Sequence, residues 1–365
     1  MAQESESISY RQALSRITAP DHSSTILAQI ASYCDPELKN TVLSLRGMAA
    51  DPDRVHIAVC CQGDEPAVVE WLKTVPNLTF KYYAREDAPG TCAARYDCNR
   101  MLRDEQYVLH LDSHMRFAKH WDVMLLDQLA RCRGDKAILT GYCQGYNEYY
   151  DEPWDAEVFT DQALCAAIIQ TMGGYYGEGV TPFLRAVHTR DTGGEPVRGA
   201  LVSAHFLFGP AEIDREIPND PHLYFVGDEL PMALRYFTHG YNVYHPGVCC
   251  VRHLYDRAKV LEARGLSLQW PNTLESRNLL KLWIEKKRIL KLYGMEDNDQ
   301  DLTGFDLGSE RTLREFEAFA GIDFKAKTIA RFALNGEYDR EHTQEDLEPA
   351  IRDRKPVIIN HEGGT

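Results

Sequence analysis

No stretch of this chain approaches the ~18 consecutive apolar residues that span a bilayer as a helix. The segment from Met1 to Ile17 is polar and mixed in charge, without an apolar signal core. These absences point to a cytoplasmic protein. Positive charge is also short: 40 lysines and arginines stand against 55 aspartates and glutamates, a formal charge of −15. That balance excludes a chain that wraps nucleic acid or lies on an anionic membrane, yet permits a local basic pocket for a phosphorylated ligand. Ten cysteines are present without one Cys-x-x-Cys pair, so the usual zinc frame is missing. Cys60-Cys61 and Cys249-Cys250 lie in apolar runs whose neighbouring side chains face opposite ways. Buried thiols are therefore expected rather than a disulfide framework. Internal repeats and low-complexity tracts are lacking as well.

What is there is ordinary globular composition, 44% hydrophobic and 26% charged over 365 residues. The length suits one large α/β domain with an appendage, or two domains. Thr25 to Tyr33 reads as a strand, followed by a helix capped by Asp35 with Pro36 at its first position. Val55 to Cys61 is a near-continuous apolar run and so a buried strand. A helix over Glu65 to Lys73, a strand over Leu78 to Tyr83, a helix over Cys92 to Leu102 and a strand over Tyr107 to Leu111 complete a β-α-β-α-β-α-β series. This alternation predicts a doubly wound, mostly parallel sheet, with ligands at the carboxyl ends of its strands. Further on, helices are expected at Trp121 to Arg131 and Asp228 to Thr238, and strands at Ala137 to Tyr142, Leu201 to Phe208, Tyr241 to His245 and Pro246 to Val251. The glycine- and aromatic-rich segment from Tyr146 to Arg198 reads as long functional loops. Ser276 to Tyr293 reads as a helix with Leu279, Leu280, Trp283, Ile284 and Leu290 on its apolar face. Arg311 to Phe319 reads as another.

Four constellations carry chemistry. Asp112-Ser113-His114 directly follows a buried strand, and its carboxylate and imidazole project the same way. They can share a divalent cation and leave positions open for diphosphate oxygens, or form a plain strand-end turn. His253 follows another apolar run and either completes that site or is a partly buried histidine. Asp228 and Glu229 open a helix, where two acids are explained equally well by capping and by a role at a reacting carbon or acceptor hydroxyl. Arg85, Gly90 and Arg95 form a small-residue helix start with two arginines suited to phosphate, or a solvated helix face. His205, His239 and His245 are read as structural, as are Trp71, Trp270 and Trp283.

The blocks Ile30-Ala31-Ser32-Tyr33-Cys34-Asp35-Pro36, Gly90-Thr91-Cys92-Ala93-Ala94-Arg95 and Leu111-Asp112-Ser113-His114-Met115-Arg116-Phe117 occur in one order with Phe225-Val226-Gly227-Asp228-Glu229 and His253-Leu254-Tyr255-Asp256-Arg257. In that order they resemble the cytosolic N-acetylglucosaminyltransferases that modify hydroxyproline on a ubiquitin-ligase adaptor. The resemblance runs from Ile26 to Phe324. It implies a GT-A type fold over 25–257, between an arm (1–24) and a helical C-terminal extension (258–340) with a charged tail (341–365). It also implies a retaining transferase that uses UDP-N-acetylglucosamine with Mn2+ or Mg2+ and a hydroxyl acceptor on a protein, peptide or small molecule. Asp112, His114 and His253 would then be metal ligands. Ala31, Ser32, Tyr33 and Asp35 would line the uridine pocket, while Arg85, Gly90, Arg95, Ser113 and Arg257 contact the donor. Asp228 and Glu229 would be catalytic. Cys34 stands where the family often has arginine, and Asp228 where it has glutamate. UDP-N-acetylgalactosamine as donor, a non-catalytic binding module, and a metal-dependent hydrolase built on Asp112, His114 and His253 are the competing readings.

Overall fold

The computed structural model describes residue 17 and residues 23–134, 136–146, 192–225, 229–255 and 276–351, with the backbone of 166–169 and 184–187. Asp228, Arg257, Trp270, most of the N-terminal arm and much of the 146–198 loops lie outside the described residues.

Four parallel strands, β1 (Ile26–Tyr33), β2 (Val55–Gln62), β3 (Leu78–Tyr83) and β4 (Tyr107–Asp112), alternate with helices α1 (Leu38–Met48), α2 (Pro66–Leu72) and α3 (Thr91–Asn99). After β4 come a short strand β5 (Met115–Phe117), helix α4 (Trp121–Arg131), strands β6 (Ala137–Thr140), β7 (Gln144–Gly145), β8 (Val197–Arg198) and β9 (Phe206–Pro210), and helix α5 (Leu230–Thr238). Strands β10 (Asn242–His245) and β11 (Val251–His253) follow. The main sheet has eight strands in the order β8-β10-β6-β9-β4-β1-β2-β3, and β9 runs antiparallel to both β4 and β6. The chain winds outward from β1 through β2 and β3 and then returns to the other side of β1 as β4. The carboxyl ends of β1 and β4 are thus the topological switch point, where open α/β sheets bind ligands. Ala31 is the register partner of Asp112 there.

Alternation along the strands divides the core in two. Leu27, Ala58 and Val108 face a cluster with Cys92, Ala94 and Cys98 of α3 and Leu230 and Leu234 of α5. Ile26, Ile30, Val59 and Leu109 face a second with Val42 and Leu45 of α1 and Trp121 and Leu125 of α4. Both faces of β1 and β2 are therefore covered, which explains why their sequences are mostly apolar without a two-residue alternation. Strand β3 is the edge and alternates between half-buried and exposed positions. A polar chain crosses the first face: Asn99 Nδ2 donates to Gln29 Oε1 (2.9 Å), Gln29 Nε2 bonds Asp214, and Asp214 Oδ1 meets His110 Nε2 at 2.8 Å. The nine described cysteines are all unbridged thiols, and among the described residues no helix is long and apolar enough to cross a membrane.

Three of the boundaries that differ from the sequence reading lie near the strand ends. Helix α1 starts at Leu38, not Pro36, with Pro36 and Glu37 forming a turn ahead of it. The strand expected at Leu201 to Phe208 begins only at Phe206, since a bridge between Ser203 and Phe206 closes a tight turn ahead of it. The strand expected at Pro246 to Val251 is Val251–His253, so His253 lies within it.

C-terminal to these, helix α6 (Ser276–Leu292) and helix α7 (Leu313–Ala320) join the first core cluster through Ile289, Leu292, Phe316 and Ala320. Helix α7 carries a reciprocal capping box, Thr312 with Glu315. A small sheet of β12 (Ile322–Asp323), β13 (Thr328–Ala330) and β14 (Pro349–Ile351) follows. The buried stripe of α6 is not the one its apolar residues suggest: Leu279, Leu280 and Trp283 are exposed, and Glu285, Arg288, Ile289 and Leu292 face inward. Glu285 accepts from the Phe225 backbone N–H at 2.9 Å, and Arg288 forms a buried ion pair with Asp220 at 2.7 Å. Two inward charges with partners fix the helix rotation.

His245 is structural, as the sequence reading has it. Its Nδ1 bonds the Thr140 carbonyl at 2.8 Å, and its ring fits because position 199 is glycine; a Cβ there would lie 2.4 Å from Nε2. Burial pushes its pKa down to about 4. The folded state thus refuses a proton that the unfolded state accepts from about pH 6.5 downward. Stability is unaffected above that pH and falls as pH drops toward 4, by on the order of 3 kcal/mol from this group. Urea unfolding of His245→Asn, which keeps a donor toward Thr140 but does not titrate, is expected to show a shallower loss between pH 6.5 and 4 than the wild type.

Candidate metal centre and donor pocket

Strand β4 ends at Asp112, and the turn Ser113-His114 leads into β5. That turn is held by α1: Thr41 Oγ1 donates to the Ser113 carbonyl (2.8 Å) and accepts from the Met115 N–H (2.9 Å). Strand β11 pairs antiparallel with β5, His253 opposite Met115, and Leu254 N–H donates to the His114 carbonyl at 3.1 Å. Two residues 139 apart in sequence are thereby set side by side. His114 Nε2 lies 3.0 Å from His253 Nε2, His253 Nε2 lies 3.3 Å from Asp112 Oδ2, and His114 Nε2 lies 3.6 Å from the same oxygen.

This triangle suits a divalent cation. Bonds of about 2.1–2.3 Å in octahedral geometry require adjacent donors roughly 3 Å apart. Two imidazole nitrogens and a carboxylate oxygen converging this closely form a donor set of the kind that holds such a cation. Both histidines are buried, while the Asp112 side chain keeps 28% exposure and opens the triangle to solvent. Desolvation alone would raise the Asp112 pKa. The hydrogen bond with His253 and the charge of Arg95 outweigh it and hold the carboxyl well below its ordinary range. Arg95, buried on α3, donates Nη2 to Asp112 Oδ1 at 2.8 Å.

The neighbouring floor is built from the ends of β1 and β2. Ser32 is buried and donates its hydroxyl to Asp64 Oδ1 at 2.6 Å; the backbone N–H groups of Asp35 and Gln62 also donate to Asp64, each at 3.0 Å. Burial lifts the Asp64 pKa to about 6 despite these donors. Cys34 and Gly63 both take left-handed backbone (φ 47° and 70°) and pack closely; a Cβ on Gly63 would lie 2.9 Å from Cys34 Sγ and 2.8 Å from Arg85 Cβ. Arg85 is exposed over this corner. Gly90, at φ 111°, donates its N–H to Gln62 Oε1 and leaves no room for a side chain beneath Tyr224, whose ring would lie 2.4 Å from its Cβ. Ala31 and Tyr33 are half-buried at the same edge. Asp35 is buried, with its carboxylate on Ser113 Oγ and His114 Nδ1.

Glu229 does not cap α5. It accepts from Tyr142 Oη at 3.0 Å and from the Ala204 N–H at 3.5 Å. Sequence reasoning missed the group around it. His205 is fully packed beside His253 (ring centroids 4.4 Å) and between Tyr142 and Tyr255. Its Nε2 accepts from the Cys143 N–H at 3.1 Å, and its Nδ1 meets Ser203 Oγ at 2.8 Å. Burial, together with His253 alongside, holds its pKa well below the ordinary imidazole value. Nothing in Ser203-Ala204-His205 signals this position; only β11 pairing beside β7 brings His253 to it.

A profile of the glycosyltransferase (GlcNAc) family matches residues 67–326, a span that includes Asp112, His114 and His253. The chain belongs to this family. Among solved structures this glycosyltransferase-family chain is similar to GalNAc-T7 with UDP, GalNAc and Mn2+, at 14% identity and a TM-score of 0.55. The match covers 85% of this chain and 60% of that one, so the present chain spans well under the full length of GalNAc-T7. The S. aureus TarS fragment 1–349 matches at 12% identity and a TM-score of 0.41, covering 73% of this chain and 72% of that one. No curated protein matches by sequence. The fold is the GT-A type expected.

Proposed function

We propose that this chain is a metal-dependent, retaining transferase that moves N-acetylglucosamine from UDP-N-acetylglucosamine to a hydroxyl of a protein, peptide or small acceptor. The observation that carries this reading is the Asp112–His114–His253 triangle beside Arg95 at the carboxyl ends of β1 and β4. GalNAc-T7, a solved structure of similar fold, holds UDP, GalNAc and Mn2+. Two nitrogen donors out of three favour Mn2+ over Mg2+, which prefers oxygen ligands and sheds water reluctantly. When bound, such a cation neutralises charge on the departing diphosphate, an effect worth several kcal/mol in comparable enzymes. Arg95 keeps Asp112 Oδ1 occupied, so that Oδ2 is the oxygen left to point at the histidines. Ala31, Ser32 and Tyr33 form the wall for the nucleoside, and Arg85 and Gly90 flank the phosphates.

For retention we favour attack on the same face as the leaving group, with the departing phosphate oxygen taking the acceptor's proton. Glu229, held by Tyr142, and Asp228 beside it in sequence would orient the acceptor hydroxyl; Asp228 or Glu229 as a transient nucleophile is the alternative route. The test is UDP release from a panel of UDP-sugars. Release from UDP-N-acetylglucosamine that needs Mn2+ and stops with chelator supports the reading. Release confined to UDP-N-acetylgalactosamine reassigns the donor, and UDP binding without release from any sugar overturns the enzymatic role.

A further inference from the structure

The metal reading above assigns three ligands and leaves one buried carboxylate beside them without a role. We infer that Asp35 is the outer carboxylate of the metal centre, a positioning residue that sets the tautomer and aim of His114, rather than a wall of the nucleoside pocket. The inference rests on the metal reading of Asp112, His114 and His253.

Asp35 is 4% exposed and all of its placed contacts are directional. Oδ1 accepts from the Glu37 backbone N–H at 2.9 Å. Oδ2 accepts from Ser113 Oγ at 2.7 Å and meets His114 Nδ1 at 2.8 Å. A carboxylate only accepts, so the Nδ1 of His114 is the ring's N–H and Nε2 carries the lone pair. That lone pair is the one aimed at His253 and Asp112. A histidine whose second nitrogen donates to a carboxylate is a more basic and better oriented metal ligand, and loss of such a partner costs 10–100-fold in metal affinity. The same residue ties the centre to the donor floor, because its backbone N–H donates to Asp64, which also receives Ser32.

The isosteric change Asp35→Asn makes a sharp test. The Glu37 N–H requires an acceptor at the first oxygen position, which places the new amide N–H2 against His114 Nδ1. His114 must then accept at Nδ1 and carry its proton on Nε2, where a cation cannot bind. Two measurements follow, neither depending on turnover. Mn2+ titration of the full chain, read by electron paramagnetic resonance, is expected to show 10–100-fold weaker binding in Asp35→Asn than in wild type, with Asp35→Glu between them. UDP affinity in chelator is expected to be unchanged. Nitrogen-15 correlation spectra of metal-free wild type are expected to show His114 with its proton on Nδ1, and the variant with it on Nε2. Unchanged Mn2+ affinity with weakened UDP binding would overturn the inference in favour of a nucleoside contact. A wild-type His114 protonated on Nε2 would overturn it even if the variant fails to fold. Failure of wild type itself to bind Mn2+, with the Nδ1 proton intact, would instead sink the metal reading on which the inference stands.

Discussion

Asp112→Asn is expected to lower UDP release from the donor by roughly 10³-fold or more, the scale on which single electrostatic groups at a reacting centre act. Asparagine has the same shape and still offers an oxygen to Arg95, so the fold should persist. It offers no negative charge to a cation, and the two imidazoles alone make a weaker site. Asp112→Ala should be equally inactive but less stable, since the buried Arg95 guanidinium would lose the partner now 2.8 Å away. The measurement is initial rate against Mn2+ concentration with thermal unfolding alongside. Wild-type rates in Asp112→Asn would show that the cation is held elsewhere or not used.

A second large effect is expected at the inward face of α6. Asp220→Ala strands the guanidinium of Arg288, which is 4% exposed and donates Nε to Asp220 at 2.7 Å. Breaking a buried pair from one side costs about 3–5 kcal/mol, because the remaining charge stays out of water. The loss should appear as a lower urea midpoint and as faster amide exchange along α6. The same carboxylate accepts from the His222 N–H at 3.0 Å, so Asp220→Asn, which retains that acceptor, should cost less. A change under about 1 kcal/mol would mean that Ile289, Leu292 and Tyr293 anchor the helix by apolar packing alone.

The alternating β-α series was legible because both faces of the central strands are covered and their runs are mostly apolar. The GT-A type and the glycosyltransferase family come from the resemblance of the short blocks in their order, not from the alternation. Less legible were features that depend on partners remote in the chain. The rotation of α6 was misread from Leu279, Leu280 and Trp283, since periodicity weighs apolar residues and cannot see that Glu285 and Arg288 have partners waiting at Phe225 and Asp220. Asp35 reads as a helix cap, and its Oδ1 does accept from the Glu37 N–H; that its Oδ2 is held by Ser113 and His114, 78 and 79 residues away, has no local signal. His205 carried no local signal at all. The antiparallel insertion of β9 was likewise invisible, because a buried strand reads the same in either direction.

The polar chain inside the sheet bears on how β1 and β4 come to be level. Gln29 and His110 are register partners, and both are gripped by Asp214. Sliding one strand by a single residue would rotate His110 onto the opposite, wholly greasy side and abandon three hydrogen-bonding groups. Two residues further along the same strands stand Ala31 and Asp112. A misaligned chain is thus penalised two residues before the candidate site is reached, and any molecule that passes this check presents Ala31 and Asp112 at the same height.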